Sequence, residues 1–380
     1  MEILVELLLF LGATLFSVMA LRALVCLRFC HRLPSAISSE RLPFVSIIFA
    51  ARDEEDRVAQ TLHHLLAQRR IDFEIIPVDD RSQDRTGEIL QRSSTENPRV
   101  RPKRIDLLPE NWLGKCHALH LGAQSAVGEW LLFTDADCWL KPDVLARALT
   151  VAEKDGVDHI TLTPGVAPEY LAAEAWHIAF LITVVDWIAR VNQDKPQAHF
   201  GIGAFNLIRT TVYRRCGGHE ALRLTVLEDI KLGKLVRKAG GRTRAFIGGD
   251  DVECHWGVTL SQMIKIMEKN YFAALNYNTP LALAIGILLP ILWLASLLGP
   301  LSRSMLGVAA FCSLFLTIAP GLVLTRRLGW SPRSAWLVPF IFPVLYYAIL
   351  NSTIVTLRHK GIRWRDTFYS LDLLRRHNVS

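Results

Sequence analysis

Charged residues are absent from Leu7–Leu21, and after a long mixed stretch the chain turns apolar again at 281–298, 305–324 and 336–357. About 20 residues of helix cross the hydrocarbon layer of a bilayer, and each of the later runs has that length. The first run reads as a retained anchor rather than a cleaved leader, because MEILVE lacks a basic start and no small-residue cleavage site follows cleanly. Glu6 and Arg22 would snorkel at its ends. Arg22, Arg28, His31 and Arg32 place that flank, and the domain behind it, on the cytoplasmic face. If every C-terminal run crossed fully, the basic loop at Arg326 and the basic segment after Arg358 would lie on opposite faces, against the same tendency. Pro339 and Pro343 inside the last run leave open a bent, re-entrant segment that returns the tail.

Between Leu42 and His255 the periodicity changes. Phe44–Ala50, Phe73–Val78, Trp130–Thr134 and Asp158–Leu162 are short, apolar and β-branched or aromatic, as buried strands are. Helical spacing fills the gaps at Asp56–Leu66, Thr86–Gln91, Cys116–Ala126 and Glu228–Lys238. This alternation predicts an α/β domain with a mainly parallel, doubly wound sheet. The chain thus divides into an anchor over 1–28, an α/β domain over 42–256, an amphipathic connector over 257–280, membrane helices over 281–357 and a basic tail over 358–380. Tyr170–Val191 is apolar with two tryptophans but too interrupted by charge to span; it suits a membrane interface or a buried domain helix.

A net charge of +7 changes this picture little, since the basic residues gather beside the apolar runs. That distribution fits anionic lipid head groups and argues against nucleic acid. The 7 cysteines are scattered without a zinc or disulfide spacing, which fits reduced thiols in the cytoplasm.

Ligands of doubly wound sheets bind beyond the carboxyl ends of the strands, and several acids fall there. In VDDRSQD, Asp79 and Asp80 follow an apolar strand and suit a base N–H or ribose hydroxyls; a helix-capping turn explains them equally well. In FTDADC, Asp135 and Asp137 close another strand one residue apart, and two hard carboxylates so placed can hold Mg²⁺ or Mn²⁺ against a diphosphate. In VLEDIKLG, Glu228 and Asp229 begin a helix; complementing its dipole is the simpler reading, and deprotonating an acceptor hydroxyl the functional one. Gly114 and Lys115 precede a helix and suit diphosphate oxygens, without the upstream glycine and following hydroxyl of a P-loop. His255, beside Trp256, is a further candidate metal ligand, although packing explains a histidine there more simply.

In this order, VSIIFAARDEE, VDDRSQDRT, GKCHAL, TDAD and LED resemble the family 2 glycosyltransferases of GT-A fold. The opening loop has Asp53 where that family usually has Asn. The resemblance implies an inverting transfer from a nucleotide-diphosphate sugar, in UDP form. Ala51, Glu54, Asp79, Asp80, Lys115 and Asp135 would contact the donor, Asp137 the metal, and Asp229 would act as base supported by Glu228. LPENWLGKCHAL, the stretch 201–222 and the tail GIRWRDTFY look similar to hopene-associated and carotenoid-type members, which implies a membrane lipid acceptor such as a hopanoid, polyisoprenoid or glycerolipid, and a bacterial inner membrane. Gly203, Phe205 and Trp256 would then shape the acceptor side. Processive members carry Gln-x-x-Arg-Trp after the base; here Met267–Phe272 reads MEKNYF, which implies a single transfer. A membrane nucleotidyltransferase is disfavoured by the acidic loop Arg52–Asp56, and a non-catalytic sugar-nucleotide-binding protein remains the third reading.

Overall fold

The computed structural model describes residues 2–166, 170–255 and 259–377. Helix α1 (Glu2–Cys26) leads into a sheet of β1 (Val45–Ala51), β2 (Phe73–Asp80), β3 (Lys103–Ile105), β4 (Trp130–Asp135), β5 (Cys138–Leu140), β6 (His159–Val166), β7 (Asn206–Arg209) and β8 (Thr243–Cys254). Helices α2 (Val58–Leu66), α3 (Thr86–Glu96), α4 (Gly114–Ser125), α5 (Val144–Asp155), α6 (Leu171–Asn192), α7 (Thr210–Arg215) and α8 (Glu228–Lys238) connect them. Then follow α9 (Leu260–Met267), α10 (Tyr271–Ala274), α11 (Thr279–Leu298), α12 (Met305–Leu316), α13 (Ile318–Leu328), α14 (Pro332–Arg358), the hairpin β9 (Gly361–Trp364) and β10 (Thr367–Ser370), and α15 (Leu371–Arg376).

The sheet order is β3-β2-β1-β4-β7-β6-β8-β5. β3, β2, β1 and β4 run parallel, as do β6 and β8, while β7 and β5 are antiparallel to their neighbours. The sheet is therefore mixed and mostly parallel. β1 sits centrally and is buried on both faces: Val45, Ile47 and Phe49 pack toward α2 and α5, and Ile48 packs toward α4. Gly122 permits that approach, since a Cβ there would stand 2.5 Å from Ile48 Cγ2. β2 and β4 extend past their apolar runs to include the acids that follow them, because the ladder to neighbouring strands continues through Asp79, Asp80 and Asp135. Helix α4 begins at Gly114, so Gly114 and Lys115 lie in its first turn rather than before it.

A second apolar core joins α1, α6, α13 and α14, with Phe16, Trp176 and Phe342 buried in it. By length and apolarity α6 is capable of spanning, contrary to the expectation that charge interrupts it too often. Yet it lies between the domain and the other helices. Ala245 and Ile247 of β8 share its core, and the Asn192 amide donates to the carbonyls of Phe29 and Ala245, both at 2.8 Å. The run at 305–324 is divided at Thr317, whose hydroxyl turns back to the Leu314 carbonyl at 2.7 Å.

The last apolar run forms one uninterrupted helix of 27 residues through Pro339 and Pro343. Both of its ends abut the α/β domain. Just before it, Leu328 lies against Gly249 of β8, and the Arg327 guanidinium donates to the carbonyls of Leu27 and Cys30. Just after it, His359 lines the domain's main cavity. Contact of both ends with the domain would put the basic residues around Arg326 and those after Arg358 on one face, which would remove the charge conflict in the sequence without a break in the helix. The residues after Arg358 are not a solvated tail, because the hairpin and α15 pack onto the domain through Ile362, Tyr369 and Leu374.

A reporter inserted between Gly329 and Ser331 and one fused behind residue 377 are expected to register the same face of the membrane. Opposite faces would show that α14 carries the chain across.

Candidate active site

β1, β2 and β4 end side by side, with Ala51 in register with Asp79 and Ala50 with Asp135. Beyond these ends opens a cavity of about 1000 Å³. Ala51, Glu54, Asp80, Asp135 and Asp137 line it from the first half of the domain, and Lys115, Gly203, Glu228 and Asp229 from α4, the loop before β7 and α8.

Strand alternation separates the two consecutive acids of β2. Asp80 faces the cavity, with Arg81 Nε 2.7 Å from its carboxylate. Asp79 turns away and is 2% exposed, ion-paired to Arg104 at 2.8 Å and accepting the Ser82 N–H at 2.9 Å. The expectation that Asp79 shares the donor contact is corrected here: its carboxylate holds the turn and α3's flank.

Lys115 joins the halves of the site. Its ammonium lies 2.7 Å from Asp135 and 2.7 Å from Glu228. Burial alone would lower its pKa, but Asp135, Glu228 and Asp229 together hold it well above the ordinary lysine value. Lys115 is thus a fixed cation among acids rather than an ammonium free to meet a diphosphate. Asp229 accepts the N–H groups of Gly203 and Ile230, each at 2.8 Å, at the start of α8 where the helix dipole favours a carboxylate. Burial, and then the neighbouring Glu228, push it up to about 6.

Gly203 is there for want of a side chain: a Cβ would stand 2.7 Å from Asp135 Oδ2 and 3.2 Å from the Lys115 ammonium. Phe205, expected beside it on the acceptor side, points the other way into the sheet's core and is 0% exposed, because alternation after the loop turns it inward. Trp256 lies outside the described residues.

Donor atoms of Asp135, Asp137 and Cys138 lie within 4.8 Å of one another. Burial, then Asp135 and Glu54, push Asp137 up to about 7. A divalent cation fits such a site by its chemistry, since hard oxygen donors held close together lose their mutual repulsion when a cation shares them. Cys138 is kept as a thiol by burial and contacts the Cys254 sulfur at 2.8 Å. His255 is not in this cluster. Its ring packs on Trp139 with centroids 3.4 Å apart, and only its backbone N–H reaches the loop, at the Asp137 carbonyl, 3.1 Å away.

Residues 46–217 match the model of Glycosyl transferase family 2. The chain carries a family 2 glycosyltransferase domain. Similar proteins include the 4,4'-diaponeurosporenoate glycosyltransferase of Staphylococcus aureus (strain bovine RF122 / ET3-1), 22% identical over 354 residues, covering 90% of this chain and 92% of the relative. That of Staphylococcus haemolyticus (strain JCSC1435) is 26% identical, over 51% of this chain and 52% of its own length. A mannosyltransferase from Pyrobaculum calidifontis, solved in complex with GDP-Man and Mn²⁺, has the same fold, with a TM-score of 0.57 at 18% identity over 93% of this chain and 99% of that one.

The glycosyltransferase's cavity has a roof that lies outside the family match. Arg365 of the C-terminal hairpin pairs with Glu54 at 3.1 Å, and Arg52 pairs with Asp366. Lys269, between α9 and α10, stands with its ammonium 3.5 Å from the Trp364 ring centroid, a cation–π contact rather than an ion pair. Burial, and next the nearby Lys115, bring it down to about 8. Sequence reasoning missed Lys269 and Arg365 as site residues. The cue for Arg365 was GIRWRDTFY, whose likeness was noted and whose cations were read as facing lipid head groups rather than the cavity.

Gly203→Ala is expected to lower kcat about a hundredfold, the effect of moving reacting groups by about 1 Å, with little change in thermal unfolding. Wild-type kcat in that variant would show that the gap between Asp135 and Asp229 is not used.

Proposed function

We propose that this glycosyltransferase moves a single sugar from a nucleotide-diphosphate sugar, in its UDP form, to a hydroxyl of a membrane lipid of polyisoprenoid, hopanoid or glycerolipid type, with inversion. The observation that carries this reading is that one cavity is lined both by Asp135, Asp137 and Asp229 and by Ile266, Val355 and Thr356 of α9 and α14, helices that pack with the apolar bundle. A donor held at the strand ends and an acceptor arriving from the bilayer can meet there. The carotenoid-type substrate in the names of the staphylococcal relatives agrees with such an acceptor.

In this account Asp80 receives the base and ribose at the carboxyl end of β2. Asp135 and Asp137 would hold Mg²⁺ or Mn²⁺, which when bound offsets the negative charge of the departing diphosphate. Lys269 and Arg365 close over the diphosphate from the roof, where a desolvated cation interacts strongly with phosphate oxygens. Asp229 takes the acceptor proton as the acceptor oxygen bonds to the anomeric carbon and the bond from that carbon to the diphosphate oxygen breaks. Glu228, locked to Lys115, keeps α8 and Asp229 in place. The donor sites face the cytoplasm, on the side of the basic flanks at Arg22 to Arg32, at Arg326 and Arg327, and after Arg358.

Membranes containing the protein, given labelled UDP-sugars or GDP-mannose with Mg²⁺ or Mn²⁺, are expected to yield a labelled lipid from a UDP-sugar. No labelled lipid from any donor, beside an active control enzyme, would overturn the transferase assignment.

Because the folded pKa of Asp229 is raised, the base form is present only above it. Transfer should therefore rise as pH passes upward through about 6. Asp229→Asn should retain donor binding and lose transfer at every pH; an unchanged pH limb in that variant would remove Asp229 as the base.

A further inference from the structure

Asp80 and Arg81 are consecutive at the end of β2, and in extended chain their side chains would point to opposite sides. Instead Arg81 takes a φ of 61°, in the left-handed region. Its guanidinium is thereby folded back, with Nε 2.7 Å from Asp80 Oδ1. Glycine adopts such a backbone freely, whereas a residue with a Cβ is strained in it. The turn therefore carries an arginine that its own geometry does not call for.

The surroundings leave space for this pair. At Gly114, the first residue of α4, a Cβ would stand 2.2 Å from Asp80 Oδ2 and 2.9 Å from Arg81 Nη2. Tyr369 of the hairpin is tied down beside it, its hydroxyl donating to the Trp112 carbonyl at 3.2 Å. Asp80, Arg81, Gly114 and Tyr369 all line the main cavity.

The hydrogen-bonding capacity of the pair is only partly used. Asp80 is 5% exposed, and polar atoms so buried normally have partners. Its Oδ1 accepts from Arg81 Nε, while Oδ2 accepts no hydrogen bond among the described residues. Arg81 likewise makes no hydrogen bond through its Nη groups among the described residues. A carboxylate oxygen and a set of N–H donors, fixed against each other by their own ion pair, thus stand side by side on the cavity wall.

An acceptor beside a donor is complementary to a ring edge that carries an N–H beside a C=O. Uracil has that edge at N3–H and its flanking carbonyls, and guanine has it at N1–H and C6=O. Cytosine and adenine reverse it, with a ring nitrogen lone pair beside an amino group. Their lone pair would meet the carboxylate and their amino group the guanidinium, a mismatch of the kind that rejects a wrong ligand.

We propose that Arg81 is a specificity-determining residue that, together with Asp80, selects a nucleotide base with a lactam edge over one with an amino edge. This inference rests on the nucleotide-sugar reading of the cavity and deepens it.

The test is calorimetric titration of the full chain in detergent with UDP, CDP, GDP and ADP, each with Mn²⁺. Wild type is expected to bind UDP roughly a hundredfold more tightly than CDP, since cytosine leaves hydrogen bonds to two charged groups unmade. Arg81→Gly, which the left-handed turn accommodates without strain, should weaken UDP binding roughly tenfold and leave CDP binding no weaker. Arg81→Lys, which keeps the charge and loses the planar fork, should narrow the same ratio. Equal loss of UDP and CDP in Arg81→Gly would overturn the proposal, by placing Arg81 on the diphosphate or in the fold. Equal binding of UDP and CDP by wild type, or ADP binding tighter than both, would overturn it and leave the transferase reading standing. Binding of none of the four would overturn both. GDP binding tighter than UDP would support the lactam edge and make guanine the base.

Discussion

The ion pairs of Lys115 with Asp135 and Glu228 are the constraint on which the site depends. They tie the first turn of α4 to the end of β4 and the start of α8, so that elements far apart in sequence converge on one cavity. Glu54, Asp135, Asp137, Glu228 and Asp229 all face that space. Lys115 pairs with Asp135 and Glu228, and Arg365 with Glu54, while burial first, and then neighbouring carboxylates, raises the pKa values of Asp137 and Asp229. In the proposed mechanism a divalent cation at Asp135 and Asp137 would complete the charge balance and leave Asp229 to accept a proton. The glycines follow from the same crowding, because Gly201 and Gly203 pass where any Cβ would strike Asp229 or Asp135.

The membrane helices are part of this arrangement rather than a tether. α6 lies under β8, α14 starts and ends against the domain, and the hairpin behind α14 returns to cover the strand ends. The roof pairs, Arg365 with Glu54 and Lys269 with Trp364, tie the hairpin to the loop after β1 and to the segment between α9 and α10.

How much of this was legible in the sequence depended on how local each signal was. The central strands and α8 declared themselves by apolar runs and periodicity, with α8 bounded at Glu228 and Lys238 as expected. β3 and β5, with three residues each, and the four-residue β7 carry too little pattern to be seen, and β8 is interrupted by Gly248, Gly249 and Asp250. The acids at strand ends were found because they follow apolar strands and recur in an ordered set of motifs. What remained hidden was direction. Adjacent Asp79 and Asp80 look alike in a sequence, but the pleat sends one to Arg104 and the other to the cavity. Phe205 was misassigned for the same reason. Lys269 and Arg365 gained their meaning only when a segment read as a tail folded back over the site.

The most direct test of the central claim is a Mn²⁺ titration of the full chain in detergent, followed by electron paramagnetic resonance, with and without UDP. The account predicts one bound Mn²⁺ whose affinity rises when UDP is present, and loss of that site in Asp137→Asn with Tm little changed. Tight UDP binding that is unaffected by removing all divalent metal, together with an undiminished Mn²⁺ signal in Asp137→Asn, would contradict it.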